Sequence, residues 1–161
     1  MRLEVKSIPI RSQMAMSLVE ELEVELRQHY PSHYIHELDI PAFEASGGIF
    51  LVCINGDVPI GCLGLRPLKS GTAELKRMFV RPDFRGLGAA KTMLLEMERL
   101  ASAEGYQQIV LETGNQQTTA IDLYQANGYR SIAPYNKASD GPASVCFCKM
   151  LDSSPDTNIT T

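Results

Sequence analysis

At 161 residues, 44% of them hydrophobic, the chain is long enough for one domain with a substantial core. Its 15 Lys and Arg residues against 19 Asp and Glu residues give a net charge of −4, which argues against a general nucleic-acid-binding protein. There is no apolar run of membrane-spanning length and no signal-peptide pattern, so the sequence predicts a cytoplasmic protein with no membrane partner.

The first predicted elements are a strand over residues 3–8 and a helix over residues 12–29. The helix is indicated by apolar residues that recur every four positions, namely Met14, Leu18, Leu22 and Leu26. Ser12 is placed to cap its N-terminus. Residues 30–47 hold prolines among mixed polar and aromatic residues, so we expect an irregular segment there.

Three β-rich segments follow this irregular stretch. Residues 48–54 and 58–65 flank Asn55-Gly56-Asp57, which is typical of a tight hairpin turn. Residues 73–80 form the next predicted strand.

The second half of the chain alternates helices and strands. In chain order, it is predicted to contain a helix ending near Gly105, a strand over 107–113, a helix over 118–126, and strands over 129–133 and 144–150. The polar residues 152–161 are predicted to form a disordered tail, which leaves residues 1–151 as a single domain. This order of elements predicts an α/β protein with a mixed sheet covered by helices on both faces.

The cysteines lie in strand-like apolar stretches, at Cys53, Cys62, Cys146 and Cys148. None of them has the Cys-x-x-Cys spacing of a zinc site or a redox pair. We therefore expect buried thiols in a reducing compartment, with neither disulfides nor bound metal.

The most informative segment is the turn between the strand over residues 73–80 and the helix after it. Its sequence is Arg85-Gly86-Leu87-Gly88-Ala89-Ala90. A glycine-bearing turn of this kind exposes the first N–H groups of the helix, which together with the helix dipole favour a phosphate or pyrophosphate. Neither the Gly-x-Gly-x-x-Gly of dinucleotide-binding folds nor the P-loop pattern is present.

This Arg-x-x-Gly-x-Ala turn resembles the pyrophosphate-binding signature of the GNAT superfamily of acetyl-CoA-dependent N-acetyltransferases. Three further segments strengthen the resemblance. They are residues 73–82, similar to the fourth strand of the family and the Val-x-Pro that follows it; Leu111-Glu112-Thr113-Gly114, similar to the end of the fifth strand in small bacterial members; and residues 123–129, similar to a Leu-Tyr-x-x-x-Gly-Phe/Tyr signature. The resemblance covers most of the chain and implies a GNAT-like fold, a mostly antiparallel sheet with a parallel strand pair at the cofactor site.

The resemblance also implies an N-acetyltransferase that moves an acetyl group from acetyl-CoA to a primary amine, by direct attack through a tetrahedral intermediate. A free alkylammonium has a pKa of about 10.4, so a base must accept a proton. Glu74, on the fourth strand, matches glutamates proposed as the base in several members, and Glu112, on the neighbouring strand, is the alternative. Tyr124 matches the tyrosine that offers its O–H to the departing thiolate.

The cofactor contacts implied by the resemblance are Met78, Phe79, Val80, Arg85, Gly86, Leu87, Gly88, Ala89, Ala90, Lys91 and Asn115. The first three would use backbone groups to bond the pantetheine arm, and one N–H near Met78 or Phe79 would stabilise the oxyanion. The turn residues would form the pyrophosphate cradle, with Lys91 adding charge. Asn115 would either bond the pantetheine arm or cap the next helix.

The acceptor amine would lie opposite the cofactor, between the segment after the first helix and the last hairpin. The candidate residues are Tyr30, His33, Tyr34, His36, Glu37 and Asp39 in the first, and Tyr135, Asn136, Lys137 and Asp140 in the second. A metal site at His33, His36 and Glu37 is disfavoured, because the chemistry requires none. A small amine, an amino acid and a peptide N-terminus remain open as acceptors.

Two other functions remain as alternatives. One is a module of the same fold that binds acyl-CoA as a sensor without turnover, and the other is a non-enzymatic nucleotide or phosphate binder. The presence of both Glu74 and Tyr124 favours an enzyme. The sequence is compatible with a monomer or a homodimer.

Overall fold

The computed structural model describes residues 2–31, 38–136 and 143–152, and its centre is a seven-stranded mixed sheet. The strands are β1 (Leu3–Ser7), β2 (Ile49–Asn55), β3 (Val58–Lys69), β4 (Thr72–Val80), β5 (Gln108–Gly114), β6 (Arg130–Ile132) and β7 (Ser144–Met150). The helices are α1 (Gln13–His29), α2 (Ile40–Ala45), α3 (Ala89–Ala103) and α4 (Thr118–Ala126).

The strand order is β1-β2-β3-β4-β5-β7-β6. Strands β4 and β5 are parallel, and the other neighbouring pairs are antiparallel. This arrangement confirms the predicted mixed sheet with one parallel pair. It also places β4 and β5, which carry Glu74 and Glu112, side by side in the middle of the sheet.

Each face of the sheet is covered by one long helix. Helix α1 begins at the predicted cap, where the Ser12 side chain accepts a hydrogen bond from the Ala15 N–H at 3.3 Å, and it buries Leu18 and Leu22 against Phe50 and its neighbours. Helix α3 covers the other face. Its buried residues Met93, Leu94 and Met97 pack against alternate residues of the central strands.

The prediction of an irregular segment over residues 30–47 was wrong for its second half, which contains α2. The Asp39 side chain caps this helix by accepting a hydrogen bond from the Ala42 N–H at 3.0 Å. Pro41 lies in the first turn, where a proline is well tolerated because its missing N–H would have no partner. In the part of the chain that the structure describes, no helix has the length and hydropathy to cross a membrane.

The two parallel strands pair over only part of their length. Their register runs from Thr72↔Gln108 to Leu75↔Leu111, whereas β4 continues to Val80 and β5 to Gly114. Arg77 has a φ of 60°, and the register between β3 and β4 shifts beside it. An irregularity of this kind bends a strand, and the functional site lies where β4 and β5 have stopped pairing.

Candidate functional site

Two cavities lie at the diverging ends of β4 and β5. The first, of about 370 Å³, is lined by β5 residues that include Glu112 and is called the β5 cavity. The second, of about 360 Å³, is lined by the turn before α3 and is called the glycine-turn groove. Met78, Gln117 and Ala120 line both cavities. A ligand in the groove can therefore present a reactive group to a ligand in the β5 cavity.

The glycine-turn groove brings together most of the predicted cofactor residues. Its lining includes Met78, Phe79, Val80, Arg85, Gly86, Gly88, Ala89, Ala90 and Lys91. Leu87 and Asn115 are not part of this lining. Leu87 is 48% exposed, and the Asn115 N–H donates to the Ala143 carbonyl at 2.9 Å. The neighbouring Gln116 and Gln117 line the groove instead.

The conformation of the turn explains why glycine is needed there. Gly86 and Gly88 have φ values of 79° and 89°, in the left-handed region that other residues rarely adopt. Gly88 is also the N-cap of α3, and a Cβ built on it would meet no atom within 4 Å. Gly88 and the first residues of α3, Ala89 and Ala90, line the groove. This geometry fits an anionic group such as a pyrophosphate.

Arg85 is held by protein groups on two sides. Its Nε donates to the Val80 carbonyl at 2.8 Å, and its Nη2 pairs with a Glu25 carboxylate oxygen at 2.6 Å. The guanidinium also lies 5.8 Å from the centre of the Phe79 ring. Arg85 therefore connects α1 to the end of β4, a structural role that is not apparent from the sequence.

Glu112 and Tyr124 both line the β5 cavity. A Glu112 carboxylate oxygen accepts a hydrogen bond from Ser144 Oγ at 3.1 Å. The Tyr124 ring is almost fully buried and packs against Tyr129 and Phe147, with ring centres 5.5 and 6.4 Å away. Burial raises the pKa of Tyr124 above its usual value, so its hydroxyl stays protonated at neutral pH and is available as a donor.

Glu74 lies outside the lining of both cavities, with 1% of its surface exposed. Its carboxylate accepts hydrogen bonds from Arg66 Nε at 2.8 Å and from Tyr135 Oη at 2.5 Å, and Lys76 Nζ lies 3.6 Å away. Burial and the Glu74 charge raise the pKa of Tyr135, which keeps its hydroxyl a donor. Glu74 is thus the centre of a polar cluster behind the cavity wall.

Three cationic residues line the β5 cavity, namely Arg66 on β3 with Lys76 and Arg77 on β4. Burial is the largest effect on the pKa of Lys76 and lowers it, the Glu74 charge raises it, and the charges of Arg66 and Arg77 lower it further. These three residues therefore interact electrostatically. The sequence alone does not group these three residues, because they lie on two strands and only the sheet register brings them together.

The predicted acceptor region is only partly covered by the structure. Tyr30, Asp39 and Asn136 line the β5 cavity, while Tyr135 lies against Glu74. The other candidates lie outside the described residues, namely His33, Tyr34, His36, Glu37, Lys137 and Asp140. Within residues 2–31, 38–136 and 143–152, no group of three or more His, Cys, Asp or Glu side chains could hold a metal ion.

Tyr30 joins the end of α1 to the loop after β5. Its hydroxyl accepts a hydrogen bond from the Gln116 N–H at 2.8 Å, across 86 positions of sequence. A Cβ on Gly114 would collide with this hydroxyl, so the approach of Tyr30 depends on the glycine. Through this bond, Tyr30 fixes the loop whose Gln116 and Gln117 line the glycine-turn groove.

We expect Tyr30→Phe to lower the free energy of unfolding by about 1 kcal/mol, because the Gln116 N–H loses the acceptor of a partly buried hydrogen bond. The loosened loop should also weaken ligand binding in the groove. Chemical denaturation and a calorimetric titration would measure the two effects. Tyr106→Phe, at a partly buried tyrosine outside both cavities, is the control. Equal stability of Tyr30→Phe and the unmodified protein would contradict this role.

Comparisons with a family model and with individual proteins agree on one family. The sequence model of the Acetyltransferase (GNAT) family matches residues 13–129. A protein of Azospirillum brasilense named IAA acetyltransferase is 33% identical over 137 residues, which are 84% of this chain and 90% of that protein.

Solved structures show the same fold. One from Klebsiella pneumoniae superposes with a TM-score of 0.83 at 24% identity, covering 93% of this chain and 98% of the other. The PaiA N-acetyltransferase of Thermoplasma acidophilum, solved in complex with coenzyme A, superposes with a TM-score of 0.71 at 19% identity and covers 94% of this chain and 100% of its own.

Proposed function

Because this chain belongs to the GNAT acetyltransferase family and is therefore an acyltransferase, we propose that it transfers an acetyl group from acetyl-CoA to a primary amine held in the β5 cavity. The observation that carries this proposal is the junction of the two cavities at Met78, Gln117 and Ala120. A thioester in the groove and an amine in the cavity would meet there, beside Glu112 and Tyr124.

The glycine-turn groove would bind the coenzyme A part of the donor. The N–H groups at the start of α3 would hold the pyrophosphate, and Lys91 in the first turn adds a positive charge. The parallel pairing of β4 with β5 ends at Leu75. The backbone groups that follow on this side of β4 can therefore form hydrogen bonds with an extended pantetheine arm. Acetyl-CoA would supply an activated carbonyl carbon.

Glu112 is the better candidate for the group that accepts the amine proton. It lines the β5 cavity, whereas Glu74 does not. Glu74 also already accepts hydrogen bonds from Arg66 and Tyr135, and with 1% of its surface exposed it has little access to an amine in the cavity. A general base must lie within hydrogen-bond reach of its proton, or be connected to it through one water molecule. We therefore assign the base to Glu112 and a supporting role to Glu74.

The remaining groups would stabilise the two negative charges that develop during transfer, one on the carbonyl oxygen and one on the departing sulfur. A backbone N–H of β4 at Met78 or Phe79 would stabilise the oxyanion. The Tyr124 hydroxyl, which burial keeps protonated, would donate a hydrogen bond to the departing thiolate.

We expect Tyr124→Phe to lower kcat by roughly 100-fold while leaving acetyl-CoA affinity unchanged, because the leaving group loses its O–H donor. Steady-state thiol release and calorimetry would separate the two quantities. Tyr129→Phe is a matched control, since the Tyr129 hydroxyl donates to Glu98 at 2.8 Å and lies outside both cavities. A kcat that falls equally in both variants would contradict the role of Tyr124.

The proposed function is tested by following thiol release from acetyl-CoA with a panel of small amines, amino acids and short peptides. Calorimetry first establishes that acetyl-CoA binds. We expect release that depends on the amine, with an acetylated product visible by mass spectrometry. Binding of acetyl-CoA without turnover of any amine would contradict the proposal and favour the sensor function.

A further inference from the structure

The charged residues of the β5 cavity are divided between different elements. The cationic residues are on the neighbouring strands β3 and β4, at Arg66, Lys76 and Arg77, whereas the acidic residues are Asp39 before α2 and Glu112 on β5. A ligand that spans the cavity therefore meets positive charge from β3 and β4 and negative charge from β5. This polarity is a property of the cavity and not of the protein as a whole, whose net charge is −4.

The buried Glu74 explains how the cationic residues are tolerated. Side chains of Arg66 and Lys76 are 36% and 25% exposed, and the cost of removing part of a cation from water is reduced by a paired carboxylate. Glu74 provides that pairing from behind the wall, since it is not part of the cavity lining. Its position leaves the cavity side of the cluster positive.

Arg66 and Lys76 retain donors for a further anion. Arg66 contacts Glu74 through Nε, which uses one of the five N–H donors of a guanidinium. Lys76 carries three donors, and its nitrogen is 3.6 Å from the nearest Glu74 oxygen. The Tyr135 hydroxyl donates to the other carboxylate oxygen of Glu74. The protein thus provides cations that are already held in place by Glu74, and an anionic ligand would complete the ion pairs.

We propose that Arg66 and Lys76, with Arg77 beside them, bind a carboxylate of the acceptor, so that the acceptor is an amino acid or another small amine that also carries a carboxylate. This inference rests on the proposed function, in which the acceptor amine lies near Glu112. A cavity of about 370 Å³ suits a small acceptor of this kind. Glu74 offsets one of the two positive charges of Arg66 and Lys76, so this pair keeps a net positive charge that can attract a carboxylate.

The inference is tested with matched sets of acceptors that differ only in the carboxylate. Each set contains an amino acid, its amide and the amine without the carboxyl group, for example leucine, leucinamide and 3-methylbutylamine. For at least one set, we expect the amino acid to have a KM roughly 10- to 100-fold lower than the two others, because charge-assisted hydrogen bonds are lost in them. Equal or better turnover of the amides and amines in every set would overturn the inference.

Lys76→Met tests the site from the side of the protein. We expect it to raise the KM of the amino acid roughly 10-fold or more and to leave the KM of the amide nearly unchanged. Lys6→Met is the matched control. Like Lys76 with Glu74, Lys6 lies on a strand two residues after the glutamate it pairs with, and its Nζ is 3.8 Å from Glu4 Oε1. A KM that rises equally for the amino acid and the amide would overturn the inference.

Failure of this inference can be distinguished from failure of the proposed function. Amides and amines that are acetylated as well as amino acids would leave an acetyltransferase without a carboxylate site. Conversely, calorimetry on the protein saturated with coenzyme A measures acceptor binding without turnover. Amino acids that bind there, while their amides do not and no acceptor releases thiol, would support the carboxylate site and contradict the acetyltransferase function.

Discussion

Gly88→Glu is expected to weaken acetyl-CoA binding by at least about 100-fold, which corresponds to about 2.7 kcal/mol. Gly88 is the N-cap of α3 and lines the glycine-turn groove. A glutamate there would project an anionic side chain toward the N–H groups that we assign to the pyrophosphate, and it would itself be stabilised by them. The variant would therefore fill the anion site and repel the ligand.

The opposite end of the same helix offers a matched control. Gly105 has a φ of 91°, against 89° for Gly88, and a Cβ on either would meet no atom within 4 Å. A glutamate should cost about 1–2 kcal/mol of backbone strain at both positions, and at Gly105 it also lies at the unfavourable end of the helix dipole. Gly105→Glu should thus be no more stable than Gly88→Glu.

Calorimetric titration with acetyl-CoA and thermal melting would be run on both variants. We expect folded protein in both cases and loss of binding in Gly88→Glu alone. Micromolar affinity in Gly88→Glu would contradict the cradle assignment. Equal loss of affinity in Gly105→Glu would show that backbone strain, and not the site, is responsible.

The secondary structure was predictable where its causes are local. The period of Leu18 and Leu22, the Ser12 cap and the Asn55-Gly56-Asp57 turn each depend on residues close in sequence, and the observed α1 and hairpin agree with them. Helix α2 is not apparent from the sequence, because prolines among mixed polar and aromatic residues indicate an irregular segment, although Pro41 lies in the first helical turn beside the Asp39 cap.

The candidate site was predictable only in part, because its decisive contacts are not local. Alternation along a strand places Glu74 and Lys76 on one face of β4, but it does not show what covers that face. Tyr135, which is 61 positions away, donates to Glu74 in the folded chain. Glu74 consequently lies behind the cavity wall, while Glu112 on the next strand lines the cavity.

Glu112→Gln is expected to lower kcat by about 100-fold or more, since general-base catalysis typically contributes about 10²- to 10⁴-fold. The amide keeps the size of the side chain and can still bond Ser144, which donates to Glu112 at 3.1 Å. Acetyl-CoA affinity should therefore be unchanged, because Glu112 does not line the glycine-turn groove.

Glu74→Gln should behave differently, because this residue supports Arg66 and Lys76 from behind the wall. We expect a loss of unfolding free energy of about 1–3 kcal/mol from the broken charge-assisted hydrogen bonds and a higher acceptor KM, with kcat changed much less than in Glu112→Gln. The Glu74 charge raises the pKa of Lys76, whereas burial, the largest effect, lowers it. Without Glu74, Lys76 should lose its proton at a lower pH.

The sign of the pH dependence follows from the charge of Lys76. An ammonium is positive below its pKa, so the contribution of Lys76 to binding an acceptor carboxylate is present below that pKa and is lost as the pH rises through it. In Glu74→Gln, the acceptor KM should therefore begin to rise at a lower pH than in the unmodified protein. Steady-state kinetics between neutral and alkaline pH, with an amino acid and its amide, would measure the difference.

Together the two variants decide between the carboxylates. A large loss of kcat in Glu112→Gln, with a KM effect in Glu74→Gln, is the expected pattern, because only Glu112 lines the cavity. The reverse pattern, in a Glu74→Gln protein that melts cooperatively and binds acetyl-CoA normally, would identify Glu74 as the base. In that case, the side chains that cover Glu74 would have to give the amine or a water molecule access to it, since Glu74 is 1% exposed and lies outside the cavity lining.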